Sequence, residues 1–220
     1  MDENQRSEQL NPWLYIWIKP RAVIRQELEK SDRERHFILL ALLIGIPTLF
    51  TSYELNHFDV NYGFIIGISL IVGPIASLIM LYLSSWISAV VGRWIGGNGR
   101  AADLRVATMR GWMIPSLATL FISFIDFLLR GDEYFISPAA RTEPREIVGF
   151  IESLSSGMNS ILVIPYFIVS IWVFVIYLKS IGEAHNFSAW MSLLMTIIIV
   201  ALIFIPLVFI VLLFTAVFAF

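Results

Sequence analysis

Charged residues cut this chain into long apolar stretches. Runs without Asp, Glu, Lys or Arg occupy Phe37–Tyr53, Val60–Gly92, Gly111–Ile125, Ser153–Leu178 and Ala184–Phe220. A helix that crosses a bilayer needs about 20 mostly apolar residues. The pattern therefore predicts an all-α integral membrane protein with five transmembrane helices, at about 37–55, 66–91, 108–129, 159–179 and 191–216. The third run is short by that measure and reaches Leu129 if Asp126 sits at headgroup level. The last run is too long for one upright crossing: Phe187–Phe220 is 34 residues, about 51 Å of helix against a core of about 30 Å. No turn signal divides it. The surplus is expected along the membrane surface around Ser188–Trp190, with the helix tilting beyond Pro206.

A different pattern precedes the first run. In NPWLYIWIKPRAVIRQELEK, residues 11–30, the positions Trp13, Ile16, Trp17, Pro20, Ile24 and Leu28 recur at three- and four-residue spacing, which gives a helix one apolar face. Pro20 fits the first position of a second helix, where its missing N–H costs nothing. The segment predicts an N-terminal amphipathic interfacial arm, residues 1–35, ahead of a five-helix transmembrane domain, residues 36–220. Trp13 and Trp17 are expected among the headgroups, with Lys19, Arg21 and Arg25 toward anionic phosphate at roughly 1 kcal/mol each. A protein partner or a second copy of the chain is the other occupant such a face admits.

Composition agrees with the pattern. The chain is 58% hydrophobic and only 15% charged, with a mean hydropathy of +0.78, outside the range of soluble domains. Basic residues fix an expected orientation: seven lie in the arm, four between Arg93 and Arg110, and Lys179 starts the last loop, against Arg130, Arg141 and Arg145 alone on the opposite side. Lys and Arg favour the cytoplasmic side, so the N-terminus is expected in the cytoplasm and the C-terminus outside the cell membrane. No cleavable signal peptide is expected, because the first apolar run follows some 36 residues with charges of both signs. The loop Gly131–Glu152, with Pro138 and Pro144 and many charges, is expected to form no compact domain. The absence of Cys removes disulfides and thiolate chemistry.

Two further features concern the backbone. Gly96, Gly97 and Gly99 predict a sharp turn after the second span, leading into a surface helix from Ala101 to Arg110 with Leu104 and Ala107 inward and Arg100, Asp103 and Arg105 wet. A phosphate-binding role for this turn fails, since no strand precedes it and no Lys-Ser/Thr follows. Pro47, Pro74, Pro115, Pro165 and Pro206 put one proline in each predicted span, a sign of kinked helices. Candidate ionisable groups in the spans, Glu54, Asp59, Asp126, Lys179 and Glu183, all fall at predicted helix ends; Lys179 and Glu183 are spaced to pair. The three histidines are scattered, and no catalytic grouping or metal cluster stands out.

The stretch N-P-W-L-x-I-W-x-K-P-R-x-x-I-R-Q at 11–26 resembles the opening of bacterial members of the Yip1 domain family. The turn G-G-x-G at 96–99 with Pro115 after it, and IWVFVIYLKSIGEAHNFSAW at 171–190, are similar to further signatures of that family. The resemblance implies a five-span protein with a cytoplasmic N-terminus and gives Pro12, Trp13, Trp17, Pro20, Arg21, Arg25, Gly96, Gly97, Gly99 and Pro115 structural positions. It implies no catalytic residue. Eukaryotic relatives work with Rab-type GTPases in vesicle traffic, a role that does not carry to bacteria. The expected function is that of a non-enzymatic multi-pass membrane protein, without cofactor or nucleic acid, that organises membrane lipid or recruits a partner through its cytoplasmic face. The alternative is a small transporter or lipid-handling permease. Solid packing between helices supports the first reading, a lateral cavity the second.

Overall fold

The computed structural model describes residues 10–52, 62–131 and 160–218. Glu54, Asp59 and the Gly131–Glu152 loop beyond Gly131 lie outside them. Among the described residues all regular structure is helical: α1 (Pro12–Tyr15), α2 (Pro20–Leu28), α3 (Phe37–Ser52), α4 (Tyr62–Trp94), α5 (Ala101–Thr108), a π-helical turn (Met109–Met113), α6 (Ile114–Arg130), α7 (Ser160–His185) and α8 (Ala189–Phe218). Four stretches are long and apolar enough to cross a membrane: Gly67–Trp94, Ala101–Arg130, Ile161–His185 and Ala189–Thr215. The helix at the first predicted span, α3, has 16 residues and falls short of that length.

Local chemistry sets the boundaries. Asn11 caps α1 by accepting the Trp13 N–H at 3.0 Å, and Pro20 opens α2 as its first residue. The surface helix expected at Ala101–Arg110 is the start of a longer rod, because the π turn joins α5 to α6 without a break. In that turn the Ile114 N–H donates to the Met109 carbonyl, a wider loop than an α-helix closes. Pro115, second in α6, lies inside this continuous rod directly after the π turn, whose wider loop accommodates its missing N–H. Pro74, Pro165 and Pro206 lie inside α4, α7 and α8, and position 47 lies within α3. Asn186 turns the chain at φ 60° ahead of α8, and Ser188 Oγ accepts the Met191 N–H at 3.2 Å to start the helix at Ala189.

Packing is tight where small residues meet. A Cβ at Gly45 would strike the Gly73 carbonyl and one at Gly73 the Gly45 carbonyl, so α3 and α4 cross with backbones touching. The core gathers at the end of the bundle that carries the arm, from Ile16, Val23 and Ile24 to Leu104, Met109, Ile181 and Met195. The other half of α8 has no such cover. Leu202 to Phe214 is exposed on every side.

Candidate functional site

The arm is the element to explain, since it lies on the bundle rather than apart from it. Its helix α2 packs on α7 and α5. Ile16, Val23 and Ile24 are fully buried, so the apolar face that the sequence assigns to lipid is turned inward. Trp13 and Trp17 are half-buried against the same core, and the Trp172 indole N–H donates to the Trp17 carbonyl at 3.2 Å. What points away from the protein is Leu14 and Ile18, 67% and 76% exposed.

Four sets of ion pairs fasten the arm. Glu27, wholly buried, meets the buried guanidinium of Arg110 at 2.8 Å and Lys30 at 2.5 Å. The His36 ring stands 3.3 Å from the same guanidinium. Arg33 reaches Asp103 at 2.7 Å, and Arg105 reaches Glu34 at 2.8 Å. Glu183 takes Arg25 at 2.7 Å and Arg21 at 3.3 Å, and Arg21 also donates to the Phe187 carbonyl at 2.9 Å. Arg21 and Arg25, expected at lipid phosphate, therefore face a carboxylate of the same chain. Lys19 is exposed.

These contacts correct three expectations. Glu183 pairs with the arm instead of Lys179, because two guanidinium groups from α2 reach it. Asp103 and Arg105 are not simply wet: Asp103 also accepts the Arg100 N–H at 3.2 Å as part of the α5 cap, and the Arg105 guanidinium lies 4.5 Å over the Tyr82 ring. Further buried ionisable groups are Glu27, next to last in α2, and Arg110, in the π turn. A residue-by-residue signal for this exists in the sequence. Glu27 falls three after Ile24 and seven after Pro20, on the apolar face itself, and a carboxylate there needs a cation rather than lipid. The π turn sets Arg110 in the segment that receives it.

The glycine turn has a specific occupant, the His185 ring at the end of α7. A Cβ at Gly97 would stand 2.5 Å from Nδ1, and one at Gly99 2.9 Å from it; a Cβ at Gly92 would strike the ring too. The Gly99 N–H donates to Nδ1 at 3.1 Å, and Phe187 stacks on the ring at 5.0 Å. Gly96 takes φ +92°, which turns the chain back onto the imidazole. The glycines thus seat a side chain and lock α4, α5 and α7 together. Trp94 and Trp190, beside this turn, are 65% and 80% exposed.

Beside the arm, a groove of about 570 Å³ opens sideways between α4 and α5. Leu78, Ile79, Tyr82, Leu83 and Trp86 line it from α4, and Ala101 and Arg105 from α5. Among the described residues, no group of three or more His, Cys, Asp or Glu is placed to hold a metal ion. The geometry is that of a clamp that holds a partly apolar arm on a helical bundle. The Yip1 domain profile matches residues 14–211, and the chain belongs to that family. No curated protein and no solved structure matches it.

Proposed function

We propose that this Yip1 domain protein is a non-enzymatic component of the cell membrane that organises lipid of the cytoplasmic leaflet through its fastened arm. The carrying observation is the level of the arm along α7. The Trp172–Trp17 hydrogen bond lies seven residues, about 10 Å, past Lys179 toward the apolar middle of α7. An interfacial helix sits roughly 5–10 Å into the headgroup and acyl boundary. Leu14 and Ile18 then face acyl chains, while Arg21 and Arg25, near the end of α7, hold the polar side. Internal pairing of the arm's charges favours this reading over recruitment of a protein partner. Exposed Trp94 and Trp190 suit the headgroup level of the same leaflet. The orientation is supported by the twelve-to-three division of basic residues, and α3 stands at the place of the fifth span of the reading.

The experiment attaches a fluorophore to Ile18→Cys, a single thiol because the chain has no other Cys. Purified protein in vesicles should be quenched by lipids brominated along the acyl chain and not by aqueous iodide. Leu14→Ser should lower the quenching and abolish any protein-dependent change in lipid order. Quenching by iodide instead would remove this reading. The second reading, a lipid-handling permease, is favoured by the lateral groove alone. Protein-dependent flip of a labelled phospholipid in the same vesicles would install it.

A further inference from the structure

We propose that His185 makes the glycine turn a proton-sensitive latch on the arm, closed while the imidazole is neutral and released when acid gives the ring its second proton. The seat fixes the protonation state. A backbone N–H can only donate, so the bond from Gly99 at 3.1 Å requires a lone pair on Nδ1, and the ring proton stands on Nε2. Nε2 lies near the Ser88 backbone without a well-formed hydrogen bond. A second proton has to go to Nδ1, where it meets the Gly99 N–H donor to donor. The ring has no room to turn aside. It is 1% exposed, Phe187 stacks on it at 5.0 Å, and the backbone at Gly92, Gly97 and Gly99 comes so close that none of the three has space for a Cβ.

Charge around the seat offers an imidazolium no partner of its own. Arg93 on α4 opposes a positive ring and Asp103 on α5 favours it. Glu183, two residues before the ring on α7, already holds Arg21 and Arg25 of α2, and Arg21 also takes the Phe187 carbonyl. Arg100, beside Gly99, is exposed, and α8 has no ionisable residue. Among the described residues the ring has no ion pair, so a second charge there is buried and uncompensated. What the latch holds follows from the chain. Gly99 leads into α5, whose Asp103 and Arg105 grip Arg33 and Glu34 of the arm. Freeing the turn loosens that grip, while the Glu27–Arg110 pair stays on the far side of the π turn. An imidazole in an open turn takes its second proton near about pH 6.5. Below that pH the closed turn binds fewer protons than the open one, so it holds above it and gives way as pH falls.

The latch needs no lipid, so the quenching at residue 18 stands or falls separately. The test uses the full chain in mild detergent. Val106→Cys, 0% exposed on α5, supplies its one thiol, and the labelling rate follows the open population when reclosing is fast. Each rate is divided by that of the same thiol in a His185→Asn chain at the same pH, which cancels ionisation of the thiol. Asn sets an amide oxygen where Nδ1 stands, so it accepts the Gly99 N–H and takes no proton in this range. The ratio should rise roughly tenfold from about pH 7.5 to 5.5. Nitrogen-15 NMR reads the ring directly in a chain with His36→Gln and His57→Gln, where His185 is the remaining histidine. It should show one bare and one protonated nitrogen at the higher pH, the bare one gaining its proton over the range in which labelling accelerates. That spectrum decides the matter if His185→Asn does not fold. A ratio flat with pH, two protonated nitrogens at the higher pH, or protonation of the ring with labelling unchanged overturns the latch.

Discussion

The buried pair under the arm yields the sharpest test. Glu27 and Arg110 are 0% and 3% exposed and meet at 2.8 Å, so removal of either leaves a charge without solvent. Breaking such a pair costs about 3–5 kcal/mol, whereas replacing both partners by apolar residues is often neutral. The two single losses are unequal here. Arg110→Leu leaves Glu27 with Lys30 at 2.5 Å, and Glu27→Leu leaves Arg110, among the described residues, with the His36 ring at 3.3 Å and the more distant charge of Asp32. Glu27→Leu should therefore be the harsher change, with Arg110→Leu nearer the low end, and the double variant should be milder than either. The chain has no Cys, so Val23→Cys, at a position 0% exposed beneath α2, gives a thiol that reacts only when the arm lifts. With fast reclosing, the labelling rate follows the open population. In the Val23→Cys background, Glu27→Leu should label roughly a hundredfold faster or more. No acceleration, or a double variant faster than both singles, refutes the clamp.

Gly97→Ala puts a methyl 2.5 Å from His185 Nδ1 and should cost roughly 1–3 kcal/mol in a detergent unfolding titration followed by circular dichroism. In a His185→Ala background the same change should cost less, with the Phe187 ring, 2.6 Å from the same methyl, still having to shift. Arg21 and Arg25 are 39% and 70% exposed where they meet Glu183, so salt should speed Val23→Cys labelling by a few-fold. In Glu183→Gln the rate should start higher and rise less with salt, since the Arg33–Asp103 and Arg105–Glu34 pairs remain. A reporter active only outside the cell should work when fused to Phe220 and stay silent at Met1; the reverse pattern would invert the topology.

The spans were legible because their signal is local. A run of apolar residues between charges fixes a helix whatever it packs on, and α4, α7 and α8 begin or end within a few residues of expectation apart from the extension of α7 to His185. Pro20 at the head of α2 was legible for the same reason. The joining of α5 to α6 was not, because a proline reads as a break; whether it becomes a kink or follows a π turn depends on what that turn must present. Here it presents Arg110 to Glu27, more than eighty residues away along the chain.

The arm shows where periodicity runs out. Spacing identifies an apolar face at Ile16, Pro20 and Ile24, and lipid and protein both satisfy such a face at about the same transfer energy per area. The discriminating residue is the polar one on that face. An unpaired carboxylate on that face would be costly in lipid; Glu27 instead meets Arg110 and ties α2 to the bundle. The same logic reverses Leu14 and Ile18. They lie off the packed face and remain exposed while Ile16, between them, is buried. On the reading proposed above, an apolar residue left outside an otherwise satisfied clamp meets acyl chains. The arm is therefore two surfaces in one segment, an inner one that fixes its position and an outer one whose contacts that position selects.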